Sequence, residues 1–246
     1  MRGRRSTTLA LAAWLIALAG CSVRVVIPTA PSAPPSQPVP TLPTKAWEVL
    51  AADDFERADL GKGWATTAGS WTVEDGALKG SLVADPSGIN LADLAWQGGP
   101  LPPTVEILYE TWSPGPVGSE AKLLDPGQTQ GLIMALYGTP HPALGSKGAV
   151  VFLQAKPPSV QFQALAANRA FDLKPGVRHK VRIVRQPEGV TVFVDGVKVV
   201  SAAPGTRPEG STPVLHLVGT FGAPGSVVYF DNFEIRVPPT KEDPAR

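Results

Sequence analysis

Acid–base and nucleophilic chemistry by two carboxyl groups requires them at a fixed separation, and one segment brings two glutamates close, Glu106 and Glu110 in VEILYE. A nucleophile and an acid/base partner stand about 5–5.5 Å apart. Four residues along a strand cover about 13 Å, so these two share a face but cannot act as a pair without help from another strand. They read as polar positions on a solvated face. Histidine occurs at His141, His179 and His216, spacings that fit no short metal-binding motif. His179 and His216 fall in alternating segments and read as hydrogen-bonded sheet residues, while His141 lies in TPHP, a loop. Ser119 and Ser146 read as loop residues, and no G-x-S-x-G elbow occurs. Cys21 is the single cysteine, which excludes an intrachain disulfide and a cysteine-rich metal cluster.

The surroundings of Cys21 give that thiol a different use. Arg2, Arg4 and Arg5 precede an apolar run from Thr8 to Ala19, which ends in Leu18-Ala19-Gly20-Cys21-Ser22. Twelve helical residues span roughly 18 Å, short of a bilayer core near 30 Å. The pattern resembles the bacterial lipoprotein signal, which implies cleavage before Cys21 and acylation of its sulfur. Membrane lipid is then a partner through acylated Cys21. Ser22 is not the aspartate that retains lipoproteins in the inner membrane, so the resemblance implies the outer membrane of a didermal cell. Residues 28–44 contain seven prolines, with no charge and no aromatic residue. Such a segment is an extended polyproline spacer of roughly 50 Å. The expected organisation is a signal peptide at 1–20, a lipidated cysteine and proline-rich tether at 21–45, one folded domain at 46–238 and a disordered tail at 239–246.

The elements of that domain follow from period-two alternation between turn residues. HKVRIVRQ at 179–186, VTVFV at 190–194 and VKVV at 197–200 form a three-stranded meander, its second hairpin closed by Asp195-Gly196. Glu74-Asp75-Gly76 closes another hairpin between Trp71-Thr72-Val73 and Ala77-Leu78. Further strands are expected at 70–73, 77–82, 104–112, 131–137, 149–153, 160–165, 214–218 and 227–236. The best helical stretch is 46–52, and 164–170 tolerates helix or loop. With 25 glycines and 27 prolines in 246 residues, long helices are not expected. Many short strands make an all-β sandwich. Phe230 and Phe233 are three apart, so both reach one core only across a bulge at Asp231-Asn232.

Three segments carry a fold resemblance: DDFERADLGKGWATTAGSWTVEDGALKG at 53–80, GVRHKVRIVRQPEGVTVFVDGVKVVS at 176–201 and SVVYFDNFEIR at 226–236. In order and spacing they resemble the first strand and tryptophan hairpin, the central meander and the closing strand of concanavalin A-like jelly-roll domains of the laminin-G and glucanase type. The resemblance implies that the last strand returns beside the first. It also implies a structural calcium where those strands meet, for which Asp53, Asp54, Asp231 and Asn232 are the local oxygens. The competing reading makes them turn and bulge caps. Asp85, Asn90 and Asp93 form another loose acidic loop with weaker support. The E-x-D-x-E pattern of glucanases with this sandwich is missing.

Carbohydrate-binding sandwiches stack sugars on exposed aromatics in loops or on a concave face. Trp96, Trp112, Tyr137 and His141 flank glycine- and proline-rich loops and are the ligand-binding candidates, with Trp96 expected to be the most exposed. A net charge of +1 excludes an overall basic nucleic-acid binder, and loss of residues 1–20 takes three arginines with it. The sequence therefore points to a membrane-anchored envelope lipoprotein whose sandwich binds a glycan or a protein partner, leaning away from an enzyme. The alternatives are a glycoside-active hydrolase of the same superfamily and a structural envelope protein.

Overall fold

The computed structural model describes residues 47–85, 89–124, 131–141, 146–155, 161–203 and 213–239. Cys21, the proposed signal and tether, and residues 240–246 lie outside them. Fifteen strands run Glu48–Asp53 (β1), Trp64–Ala68 (β2), Ser70–Glu74 (β3), Ala77–Ser81 (β4), Leu91–Trp96 (β5), Val105–Trp112 (β6), Gly118–Leu124 (β7), Gly131–His141 (β8), Ser146–Ala155 (β9), Gln161–Asn168 (β10), His179–Gln186 (β11), Gly189–Val194 (β12), Val197–Ala202 (β13), Val214–Thr220 (β14) and Val227–Val237 (β15). All pairings are antiparallel. One sheet has the order β13-β12-β11-β6-β15-β4-β3, with β1 also on β15, and the other is β10-β9-β8-β7-β14-β5-β2. This is the all-β concanavalin A-like jelly-roll sandwich.

Alternation decides which side chains meet between the sheets. On β6 Val105, Ile107, Tyr109 and Thr111 are buried, and β11 places Val181 opposite Tyr109 and Ile183 opposite Ile107. The facing sheet contributes Leu94, Ala121, Leu123, Leu132, Met134, Val151, Leu215 and Leu217 to the same core. Trp64 meets Phe233 edge-on with centroids 4.9 Å apart, and Phe230 packs against Trp71 and Tyr109. Both expected hairpin turns are present: Asp75-Gly76 and Asp195-Gly196 have positive φ at both residues, the twist that suits two-residue hairpins.

The closing strand behaves as its spacing requires. The register of β15 against β6 shifts between Asp231 and Glu234, and Asn232 has a φ of 48°. The extra residue turns Phe230 and Phe233 into the same core, 0% and 2% exposed. Of the helical stretch expected at 46–52, the described residues are not a helix: β1 covers most of them and pairs with β15 from Glu48↔Val237 to Asp53↔Phe233. The open backbone edge of β15 outweighs a weak local helical preference. The segment from Ala164 to Asn168, open in the sequence between helix and loop, continues β10. Strands β2, β5 and β7 were not among those expected.

Candidate functional site

A polar cluster lies on the outer face of the seven-stranded sheet. Neighbouring registers assemble it: Val218 on β14 sits between Asp93 on β5 and Glu120 on β7, and His216 sits between Ala95 and Lys122. Two strand spacings put the Asp93 and Glu120 backbones roughly 9–10 Å apart on one face. A bulge in β2 between Thr66 and Ala68 brings Thr67 over Asp93.

Asp93 and His216 form a carboxylate–imidazole pair. His216 Nδ1 lies 2.7 Å from Asp93 Oδ1, and the Thr67 hydroxyl donates to the same oxygen at 2.7 Å. Burial alone raises the Asp93 pKa, but the His216 hydrogen bond and the nearby Lys122 charge outweigh it and hold the carboxyl below its ordinary value. An ionised carboxylate carries no proton, so His216 Nδ1–H is the donor and Nε2 is left for other chemistry. The two side chains keep 15% and 16% of their surface open.

Glu120 is enclosed by contrast, its side chain only 4% exposed. Tyr137 Oη donates to Glu120 Oε1 at 2.7 Å, Thr220 Oγ1 donates to it at 2.9 Å, and Lys122 Nζ lies 3.4 Å from Oε2. Burial, then the Glu120 charge, push the Tyr137 hydroxyl well above its ordinary pKa, so it remains a donor. Gly118 makes this convergence possible: a Cβ there would stand 2.6 Å from the Tyr137 ring and 2.8 Å from Thr220 Oγ1. Beside the polar cluster Ile133, Ala135, Tyr137, Val150 and Phe152 form a separate buried apolar group, with Phe221 edge-on to Tyr137.

The four aromatic and histidine candidates from the sequence do not converge. Trp96 is corrected most clearly: it is 8% exposed and belongs to the core, because Ala92, Leu94 and Trp96 are the inward positions of β5. Tyr137 reaches the cluster, but through its hydroxyl; its ring is buried. Trp112 is half-buried on the outer face of the opposite sheet, stacked on Tyr229. The backbone of His141 ends β8, so it is a strand residue and not part of a free loop. Ser119 and Ser146 likewise belong to β7 and β9.

Glu106 and Glu110 do share a face of β6, but Glu106 is not solvated: it is 2% exposed, bound by Arg182 and Arg236. Asp93, expected in a loop, is a strand residue. Three of the four residues proposed to supply calcium oxygens have side-chain carboxylates engaged elsewhere. Asp53 accepts from Trp64 Nε1 and Arg57 Nη2, each at 2.8 Å. Burial raises its pKa, but these bonds outweigh burial and lower it. Asp54 receives the Glu56 amide. Asp231 binds Arg178 and the amide of Asn232, whose own place is in the bulge. No group of three metal-ligating side chains occurs among the described residues. Both readings of His179 and His216 as hydrogen-bonded sheet residues hold, His179 Nδ1 lying 2.7 Å from Asp195 Oδ2.

Glu120 and Lys122 were missed because GSEAKLL opens with glycine and serine and reads as a loop edge. Its signal was the E-x-K alternation, which puts both charges on one side of a strand.

No protein-family model matches the chain, and no curated protein matches it in sequence. Solved structures do match. The carbohydrate-binding module CBM66 from Bacillus subtilis aligns with a TM-score of 0.54 at 9% identity, over 71% of this chain and 96% of that one. β-Agarase B from Zobellia galactanivorans aligns with a TM-score of 0.56 at 16% identity, over 78% and 93%. SCLam, a non-specific endo-β-1,3(4)-glucanase from family GH16, aligns at 0.56 and 11%, over 78% and 92%. At such identities the likeness is one of architecture. It still corrects the leaning against an enzyme, which rested on missing motifs: glycoside hydrolases use this sandwich, so the lack of one sequence string gives no ground for setting catalysis aside.

Proposed function

We propose that this chain is a glycan-directed sandwich of the glycoside hydrolase type, working at the polar cluster of the seven-stranded sheet. The observation that carries the reading is the Asp93–His216 pair, partly open at the surface beside the closed Glu120–Lys122 pair. Asp93 fixes the imidazole tautomer and stabilises the imidazolium, and His216 holds or passes a proton at Nε2. Lys122, fixed by Glu120, supplies a donor to a sugar oxygen. Hydrolases with this architecture support the assignment of the reaction class; the cluster itself supports the place.

The test is release of reducing sugar from agarose and from a β-1,3(4)-glucan by the whole chain. Release is expected, with a loss of at least a hundredfold in Asp93→Asn and His216→Gln while binding persists. Retention on these polysaccharides with no sugar released by the unaltered chain overturns the hydrolase reading.

The same proposal covers the chain's place in the cell. Arg2, Arg4 and Arg5, the apolar run and Leu18-Ala19-Gly20-Cys21 support an acylated Cys21, and the prolines of 28–44 support a spacer between membrane and domain. Two or more acyl chains give stable anchoring. Cys21→Ser is expected to move the protein from the membrane fraction to the soluble fraction.

A further inference from the structure

The opposite outer face holds a cavity of about 360 Å³, lined by Glu74, Asp75, Ala77, Trp112, Pro114, Gly176, Arg178 and Tyr229. Its floor is a ladder of rings. Trp112 and Tyr229, direct neighbours across β6 and β15, stack with centroids 5.0 Å apart and planes within 7°. The Arg178 guanidinium covers the other side of Trp112 at 3.8 Å, and Lys79 stands opposite Tyr229 on β4. Trp112, covered on both faces, therefore offers its edge.

Its walls are tied by hydrogen bonds within the fold. The Asp75-Gly76 hairpin turn forms one side. Ser113 ties down the other: its carbonyl accepts from the Gly176 amide at 2.6 Å, and its hydroxyl donates to the Val227 carbonyl at 2.7 Å.

The charges at this cavity are largely answered from within. Glu74 holds Lys79 at 2.6 Å, and Arg178 Nη1 is held by Glu110 at 3.0 Å and Asp231 at 2.9 Å. The place where a cation would sit, between two carboxylates and the Trp112 ring, is already taken by Arg178. The remaining excess of carboxylate repels a polyanion. What the cavity still offers is acceptors on Glu74 and Asp75, guanidinium donors on Arg178, and apolar contact on Ala77, Pro114 and the ring edges. That combination fits an uncharged, hydroxyl-rich molecule.

We propose that this cavity is a second, independent binding site for a neutral glycan segment, on the sheet opposite the Asp93–His216 cluster. A chain held at both faces gains from the effective concentration of two linked contacts. The inference stands on the cavity and does not need the cluster to be catalytic.

The test is calorimetric titration of the whole chain, and of its Asp93→Asn form, with agaro-octaose and a β-1,3(4)-glucan oligosaccharide. Polygalacturonate and chitosan oligosaccharides serve as charged comparators. A neutral oligosaccharide is expected to bind at least tenfold more tightly than either charged one. Trp112→Ala is expected to weaken that binding at least tenfold, and Asp75→Asn at least threefold, in both backgrounds. Asparagine keeps the left-handed turn conformation of Asp75, so this variant carries the test even where Trp112→Ala fails to fold. No binding of either neutral probe, unchanged binding in Asp75→Asn, or preference for a charged glycan overturns the proposal. Binding that depends on Asp75 without any sugar release leaves this site standing and removes only the hydrolase reading.

Discussion

Each outer face of the sandwich buries one glutamate, and the two are satisfied differently. On the eight-stranded sheet Glu106 lies beneath Arg182 and Arg236, whose side chains remain 34% and 35% exposed. On the seven-stranded sheet Glu120 receives two hydroxyls from residues that are themselves buried, and only Lys122 brings charge. The first arrangement is a carboxylate under a removable lid. The second is a closed network in which every partner is wedged by its neighbours. Water can replace an arginine on the first face but cannot easily enter the second. Stability should therefore be concentrated around Glu120 and weakly held around Glu106.

The largest effect that bears on this contrast is expected from Glu120→Ala. It strips two buried hydroxyls and a mostly buried ammonium of their acceptor, a loss of about 3–5 kcal/mol in denaturant unfolding. A loss below about 1 kcal/mol would show that water reaches the network. Next comes Gly118→Ala, whose Cβ overlaps the Tyr137 ring and Thr220. Overpacking of this kind costs about 1–3 kcal/mol, and thermal unfolding compared with Gly63→Ala, where a Cβ meets nothing within 4 Å, isolates it from general glycine effects.

The acid response of the same face follows from Asp93. Its folded pKa lies below the unfolded value near 3.8, so its contribution is complete above that value and disappears as pH falls through the lower, folded one. Acid titrations of stability are expected to be shallower below about pH 4 in Asp93→Asn. An unchanged slope would remove the pair from the account. The smallest effect belongs to the other face: Arg182→Ala opens Glu106 to water and should cost less than about 1 kcal/mol. A larger loss would mean that the two faces are closed alike.

Much of the architecture was readable because it is local. Two aspartate–glycine pairs set two hairpins, and two phenylalanines three apart required a bulge. The jelly-roll resemblance rested on such segments, and the pairing of first and last strands followed from it. What could not be read was long-range neighbourhood. Asp93 and His216 are 123 positions apart and touch only because β5 and β14 are adjacent. No alternation pattern states which strands lie side by side. Trp96 was misjudged for a related reason: LADLAW carries one charge among apolar residues on both sides of the strand, and its pairing with β14 and β2 decides that the tryptophan turns inward.

The zipper between β1 and β15 has one more effect. Since Glu48 is matched with Val237, the domain's two ends lie in one corner, a single interstrand gap apart. A short linker would join them without disturbing either sheet, so fresh termini opened at the Pro187-Glu188 turn should yield a circularly permuted protein of unchanged shape. A force applied at the amino end would peel β1 away one rung at a time, long before the layers behind it were loaded.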